Sequence, residues 1–273
     1  MTEILLKPRS AVARAELHAG LLQTAALFLL LLLPFSLLMG SDTRTVFGLS
    51  AWVKPMKFAL SLGVHLATLA LFWRWLPATL REGWRGLLLT ALLLVPSLFE
   101  MTYIAAQAAA GQDSHFNLST AYTRGMFALM GVFAVILTLA TSAFGAAILK
   151  GRTTKESDRE TTIRLSIGLG LMLSGLLGLV TGAVISVHGG HLVGGVDGQQ
   201  VVVPLFGWSR QAGDLRISHF LGLHAAQALP LAGWLAARRM PAGGRTMVWL
   251  SAVALTLLTL GTLGTALAGL PIL

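Results

Sequence analysis

The segment Gly213-Asp-Leu-Arg-Ile-Ser-His-Phe-Leu-Gly-Leu-His-Ala-Ala-Gln227 places Arg216, His219, His224 and Gln227 at the mouth of an apolar run. Polar groups this dense are expensive to carry into hydrocarbon, so they must face protein, cofactor or water rather than lipid. On one continuous helix advancing about 100° per residue, with His219 at zero, Arg216 falls near ~60°, Gln227 near ~80° and His224 near ~140°. The four then share a face less than half the circumference wide. The segment therefore predicts a membrane helix with one polar side turned inward.

The rest of the chain fits that environment. Of 273 residues, 55% are hydrophobic and 11% charged, with a mean hydropathy of +0.76, whereas a soluble domain carries about 25% charged residues. Crossing ~30 Å of hydrocarbon takes about 20 apolar residues. Seven such runs can be drawn: Leu17 to Met39, Lys57 to Leu76, Arg85 to Ala110, Gly125 to Leu149, Arg164 to Val187, Ile217 to Ala237 and Met247 to Leu270. The expected fold is all-α, a polytopic membrane protein of seven transmembrane helices forming a single domain over residues 1–273, with a Gly-rich loop at about 188–215.

A net charge of +9 suggests nucleic acid in a soluble protein, but its distribution follows the positive-inside rule. With the N-terminus in the cytoplasm, 14 of the 20 basic residues fall on cytoplasmic segments. Arg44, Lys54, Lys57, Arg124, Arg210 and Arg216 remain on the other side. This predicts a cytoplasmic N-terminus, a periplasmic C-terminus and no nucleic-acid partner. The first run follows a basic segment, as a signal peptide does, but is read as a retained first helix. The absence of cysteine excludes disulfides, thiolate metal sites and cysteine nucleophiles.

Two further runs carry one-sided polar stripes. In the second, Lys57, Ser61, His65 and Thr68 lie within about 80° of one another; Pro55 suits its first turn, and Trp52 is expected as an interface anchor. In the third, Ser97, Glu100, Tyr103 and Gln107 follow Pro96, with Glu100 ~15 Å deep. A carboxylate there costs several kcal/mol unless it is neutral, paired or metal-bound. The fourth run has few polar groups and reads as scaffold. The fifth carries Ser174, Gly178, Gly182 and Ser186 four apart, a small-residue ridge suited to close helix packing. In the loop that follows, Val196-Asp-Gly signals a hairpin, and so long a connection suits a lid or binding element. No pair of Gly/Pro-broken helices of the transporter type stands out. The last run lacks the lysine that a retinal Schiff base needs there.

Six histidines, His65, His115, His188, His191, His219 and His224, fall on or within the outer half. His65 and His224 are each ~12 Å below the assigned helix ends, which predicts axial ligation of a haem b iron between two helices. Gly63 and Gly222 would admit the flat ring, Arg216 and Lys57 would pair with propionates, Gln227 would line the cofactor, and Glu100 with Tyr103 would move protons or bind quinol. The expected function is electron transfer to or from a quinone or periplasmic partner. Non-haem iron, copper or zinc can use the same residues, either His65, Glu100 and His224 or the shallower His188, His191 and His219. Proton-coupled transport through Glu100, His65 and His224 is the alternative. A zinc hydrolase of the ceramidase or adiponectin-receptor type is similar in span count, although His-Glu-x-x-His and Gly-x-Ser-x-Gly are both missing.

Glu-x-x-Tyr-Ile-x-x-Gln at Glu100 to Gln107, Ser-His-Phe-Asn at Ser114 to Asn117, and Gly-Asp-Leu-Arg-x-x-His-Phe-x-x-Leu-His at Gly213 to His224 together resemble uncharacterised bacterial multi-pass membrane proteins. The resemblance implies a bacterial inner membrane and no mechanism. Partners implied are the lipid bilayer and, as an open alternative, further copies or subunits of a complex.

Overall fold

The computed structural model describes residues 9–151, 156–195, 199–204, 206–240 and 242–273, and side chains from residue 17 onward. The chain is mostly helical. In order it forms α1 (Arg9–Leu30), α2 (Leu32–Ser41), β1 (Thr45–Val46), β2 (Leu49–Ser50), α3 (Val53–Phe72), α4 (Ala78–Arg81) and α5 (Gly83–Ala109). There follow α6 (Ala121–Lys150), α7 (Asp158–His188), β3 (Leu192–Val193), β4 (Gly213–Asp214), α8 (Leu215–Leu223), α9 (Ala225–Arg239) and α10 (Gly244–Leu267). Among the described residues six helical stretches are long and apolar enough to cross a membrane, or seven if α8 and α9 count as one bent span. Their outward faces are apolar, with Leu30, Leu33, Leu71, Leu87, Val132 and Leu257 all exposed. In water that surface would be strongly unfavourable, so the surroundings of the bundle are a lipid bilayer.

Local chemistry sets the helix boundaries. Thr120 and Ser157 each close a capping box, with Thr123 and Glu160, and so start α6 and α7 earlier than the apolar pattern alone implies. Gly189, at φ 75°, ends α7 in the left-handed conformation that glycine adopts freely. Pro34 follows the break between α1 and α2 at Leu31; its missing N–H cannot serve the carbonyl four residues back.

Successive spans alternate in direction. One end gathers residues 42–52, 110–120, 189–195, 199–204 and 206–214 with the tail of α10: Arg44 donates to the Ala109 carbonyl at 2.7 Å, and β3 pairs with β4 beside Gly269. This is the loop end. At the opposite, basic end His18 lies 3.2 Å from the Ala70 carbonyl, and Arg164 donates to the carbonyls of Trp75 and Ile148 at 3.0 and 3.1 Å.

Helices α3, α5 and α7 are the most deeply buried, whereas α1 and α10 sit at the rim. Glycines carry the closest approaches. A Cβ on Gly145 would meet the Gly168 backbone, and one on Gly175 would strike Ser142 and the Thr138 carbonyl, so α6 and α7 pack almost backbone to backbone.

The sixth predicted run departs most from expectation. It is two helices bent by 47° at His224. Both Gln227 and Ala228 donate their N–H groups to the His224 carbonyl, at 3.0 and 2.9 Å, and bypass that of Leu223. The orphaned Leu223 carbonyl accepts instead from Ser174 Oγ of α7, at 2.7 Å. Among the described residues this is the one pair of successive helices within a span bent by more than 40°, and no second such pair accompanies it as a transporter-type pair of broken helices would.

Candidate functional site

The break dissolves the single polar face expected from a continuous helix. Arg216 and His219 stand on α8, His224 at the break and Gln227 on α9, and the four turn to different neighbours. Arg216 clasps the fully buried Asp214 with Nε and Nη2, at 2.9 and 2.6 Å, and donates to the Gly207 carbonyl at 2.6 Å. The Ser209 N–H completes the Asp214 shell at 2.9 Å. His219 Nδ1 meets Thr181 Oγ1 of α7 at 2.8 Å. His224 Nδ1 donates to its own Phe220 carbonyl at 2.8 Å. Gln227 Nε2 donates to Thr68 Oγ1 of α3 at 3.0 Å, which ties α9 to α3.

The stripe on α3 likewise diverges. Lys57 Nζ donates to the Phe206 carbonyl of the long loop at 2.7 Å, Ser61 is exposed, and His65 Nε2 lies 3.1 Å from Thr141 Oγ1 of α6. Hydroxyl protons fix two tautomers. Thr141 and Thr181 give theirs to the carbonyls of Leu137 and Leu177, so His65 Nε2 and His219 Nδ1 must be the donors. Thr68 and Gln227 each lie three residues beyond His65 and His224, on helices running the same way, so their contact sets the two histidines at similar depth. Thr141 is the part of this arrangement the sequence hides: it bonds back to its own helix, as an inert threonine would, and α6 reads as scaffold.

The small-residue ridge of α7 packs as its spacing predicts, along the broken helix. Gly170 faces Ala225 and Pro230, Ser174 and Gly178 face Leu223, and Gly182 faces the His219 ring. Ser186, the outer member, is exposed.

The α5 stripe is buried as expected: Ser97, Glu100, Tyr103 and Gln107 are all at most 7% exposed. Gln107 donates to the Tyr103 hydroxyl at 2.6 Å, while Glu100 Oε1 has no hydrogen-bond partner. The charge that acts on Glu100 is the Lys54 ammonium, which is itself bound to Asp113 at 2.5 Å. Asp113 belongs to the 110–120 loop, where His115 packs against Phe58 and Phe127, with ring centroids 5.6 and 6.3 Å away. Burial first, and then the Lys54 charge, hold the His115 imidazole well below its usual pKa. On the neighbouring loop, hydrogen bonds from Arg44 and then Trp52 hold Asp42 well below the usual carboxylate range. Trp52, expected as an interface anchor, is buried against Phe35 and donates to Asp42 at 2.8 Å.

In the long loop, residues 196–198 of the expected Asp-Gly hairpin lie outside the described residues. A hairpin forms just after them, with Val202 bridged to Ser209 and Gly207 at φ 66°. It presents Phe206 and Trp208 to Phe220, whose ring lies 3.9 Å from that of His224.

The three-residue ligand sets drawn from the sequence, His65 with Glu100 and His224, and His188 with His191 and His219, do not assemble. Among the described residues no three His, Asp or Glu side chains come together as a metal-binding group. His188 ends α7 exposed, His191 follows two glycines later, and His219 turns to Thr181. The two glycines expected to admit a porphyrin are occupied: a Cβ on Gly63 would lie 2.9 Å from Leu29 of α1, and one on Gly222 2.9 Å from Leu177 of α7. Neither offers a face to a flat ring. Lys57 and Arg216, expected at propionates, hold loop carbonyls. The chain matches no family model, no curated protein and no solved structure.

Proposed function

We propose that the chain is a bacterial inner-membrane protein of seven crossings, cytoplasmic at its N-terminus and periplasmic at its C-terminus, that moves a small solute in exchange with protons. The observation that carries this is the broken α8/α9 span, whose freed Leu223 carbonyl is held by Ser174. Irregular backbone at membrane depth persists where protein holds it or where it lines a ligand path. Here it stands beside His65, His219, His224, Thr68 and Gln227, which supply donors and acceptors without forming a metal shell.

Glu100 is the proton carrier in this mechanism. Its buried carboxyl lacks a partner on Oε1, so the energies of its neutral and ionised forms differ strongly with what stands nearby. When it ionises, Lys54 is drawn from Asp113 toward Glu100, and the 110–120 loop loosens. The 189–214 loop is the gate, closed on α3 and α8 by the Lys57 bond to Phe206 and the Arg216 bond to Gly207. The test is uptake of a panel of small solutes by reconstituted vesicles under an imposed pH gradient. Wild-type protein accumulates a solute with the gradient, Glu100→Gln exchanges it without accumulation, and gradient-independent uptake by wild type would contradict the coupling.

One observation favours redox metal binding as a second function. His219 and His224 both anchor Nδ1 on oxygen and leave Nε2 as an acceptor, the orientation usual in metal-ligating histidines. A visible oxidised-minus-reduced spectrum with elemental analysis tests it. A sharp band lost in His224→Ala supports it, and a colourless, metal-free protein from cells supplied with haem and metals opposes it.

A further inference from the structure

We propose that the cleft at the basic end, between the close of α3 and the start of α7, binds the phosphate of an anionic ligand, with a phospholipid headgroup as its source. The cleft measures about 650 Å³ and is lined by Arg74, Trp75, Arg159, Glu160 and Arg164 among others. It lies where one candidate span ends at Trp75 and another begins at Asp158, which is headgroup level for a bundle in a bilayer.

The charges divide by role. Arg164 forms the floor: it is bound to Glu156 and to the carbonyls of Trp75 and Ile148, and lies 5.1 Å over the Trp75 ring. Glu160 is engaged by the Ser157 N–H and hydroxyl, at 2.9 and 2.8 Å. Arg74 stacks 5.7 Å from Trp75 and Arg159 is exposed; among the described residues neither has a carboxylate partner. Arg159 also stands in the first turn of α7, where the helix dipole disfavours a cation. Three guanidinium groups against the carboxylates of Glu156 and Glu160 leave one positive charge, which a phosphodiester neutralises. The apolar flank of Trp75 and Ile163 suits the glycerol and upper acyl chain. Basic pockets between membrane helices recognise anionic headgroups through this chemistry.

The test compares wild type with the double variant Arg74→Ala/Arg159→Ala, which leaves the structural Arg164 intact. Each is reconstituted in equimolar phosphatidylglycerol and phosphatidylcholine, and lipid retained through detergent exchange is counted by mass spectrometry. Wild type is expected to enrich phosphatidylglycerol about ten-fold, with the enrichment lost in the double variant and kept in Arg124→Ala at the loop end. In phosphatidylcholine alone, inorganic phosphate distinguishes the sources. Thermal stabilisation of wild type but not of the double variant, without lipid enrichment, assigns the site to a free phosphate and keeps the anion chemistry. Equal lipid ratios in both proteins, with no phosphate effect, overturn the proposal.

Discussion

Ser174 Oγ donates to the Leu223 carbonyl at 2.7 Å, so a side chain of α7 replaces the backbone donor that the broken helix lost. Ser174→Ala leaves a buried carbonyl unpaired and is expected to destabilise the protein by about 1–3 kcal/mol. Thermal unfolding in detergent measures this. Ser174→Thr keeps the donor and should recover most of the loss.

The α6/α7 contact depends on Gly175, where any Cβ would strike Ser142 and the Thr138 backbone carbonyl. Since backbone cannot yield as a flexible side chain does, Gly175→Ala should cost about 1–3 kcal/mol. Gly131→Ala on α6, where nothing lies within 4 Å, should change stability by only a few tenths in comparison. Parallel melting curves of the two variants decide this.

His115 sets a pH dependence. Its folded pKa lies well below the ordinary 6.5, through burial and the Lys54 charge, so the unfolded chain binds the extra proton as pH falls below that value. Stability is full above about pH 6.5 and declines toward pH 5. Ser114 Oγ lies 3.0 Å from the His115 Nδ1, Asp113 accepts the His115 backbone N–H, and the rings of Phe58 and Phe127 pack against the imidazole. His115→Gln should flatten the decline between pH 7 and 5; an unchanged slope would mean that another group sets it.

Lys54 links Glu100 to the 110–120 loop through Asp113. Asp113→Asn removes the competing carboxylate and should raise amide exchange across residues 111–119 by an order of magnitude or more, given the loss of a charge-assisted bond. Exchange in α7 should stay constant.

The sequence made the membrane bundle legible because apolar runs of sufficient length are a direct consequence of hydrocarbon thickness. The buried α5 stripe and the packing ridge of α7 were equally legible, since each lies within one regular helix. What failed depended on contacts between helices. The single face drawn through Arg216, His219, His224 and Gln227 assumed a continuous helix, and a backbone break at His224 leaves no clear signal in the residues themselves. Gly63 and Gly222 looked open, but a glycine admits whatever packs against it, here Leu29 and Leu177. The ridge spacing places Ser174 at a helix contact but not at the Leu223 carbonyl, and nothing in α6 marks Thr141, because both bonds rest on groups of other helices.

The central claim is that the contact between α9 and α3 beside the helix break, where Gln227 meets Thr68, is exposed to each side of the membrane in turn, under control of Glu100. The chain contains no cysteine, so Gln227→Cys gives a single thiol on α9 beside Thr68 of α3. Its modification by a membrane-impermeant thiol reagent is measured in right-side-out and inside-out vesicles at pH 5.5 and 7.5. Modification from both sides is predicted, with rates that shift in opposite directions with pH and lose that shift when Glu100→Gln is added. Modification from one side alone at both pH values, unaffected by Glu100→Gln, would contradict it.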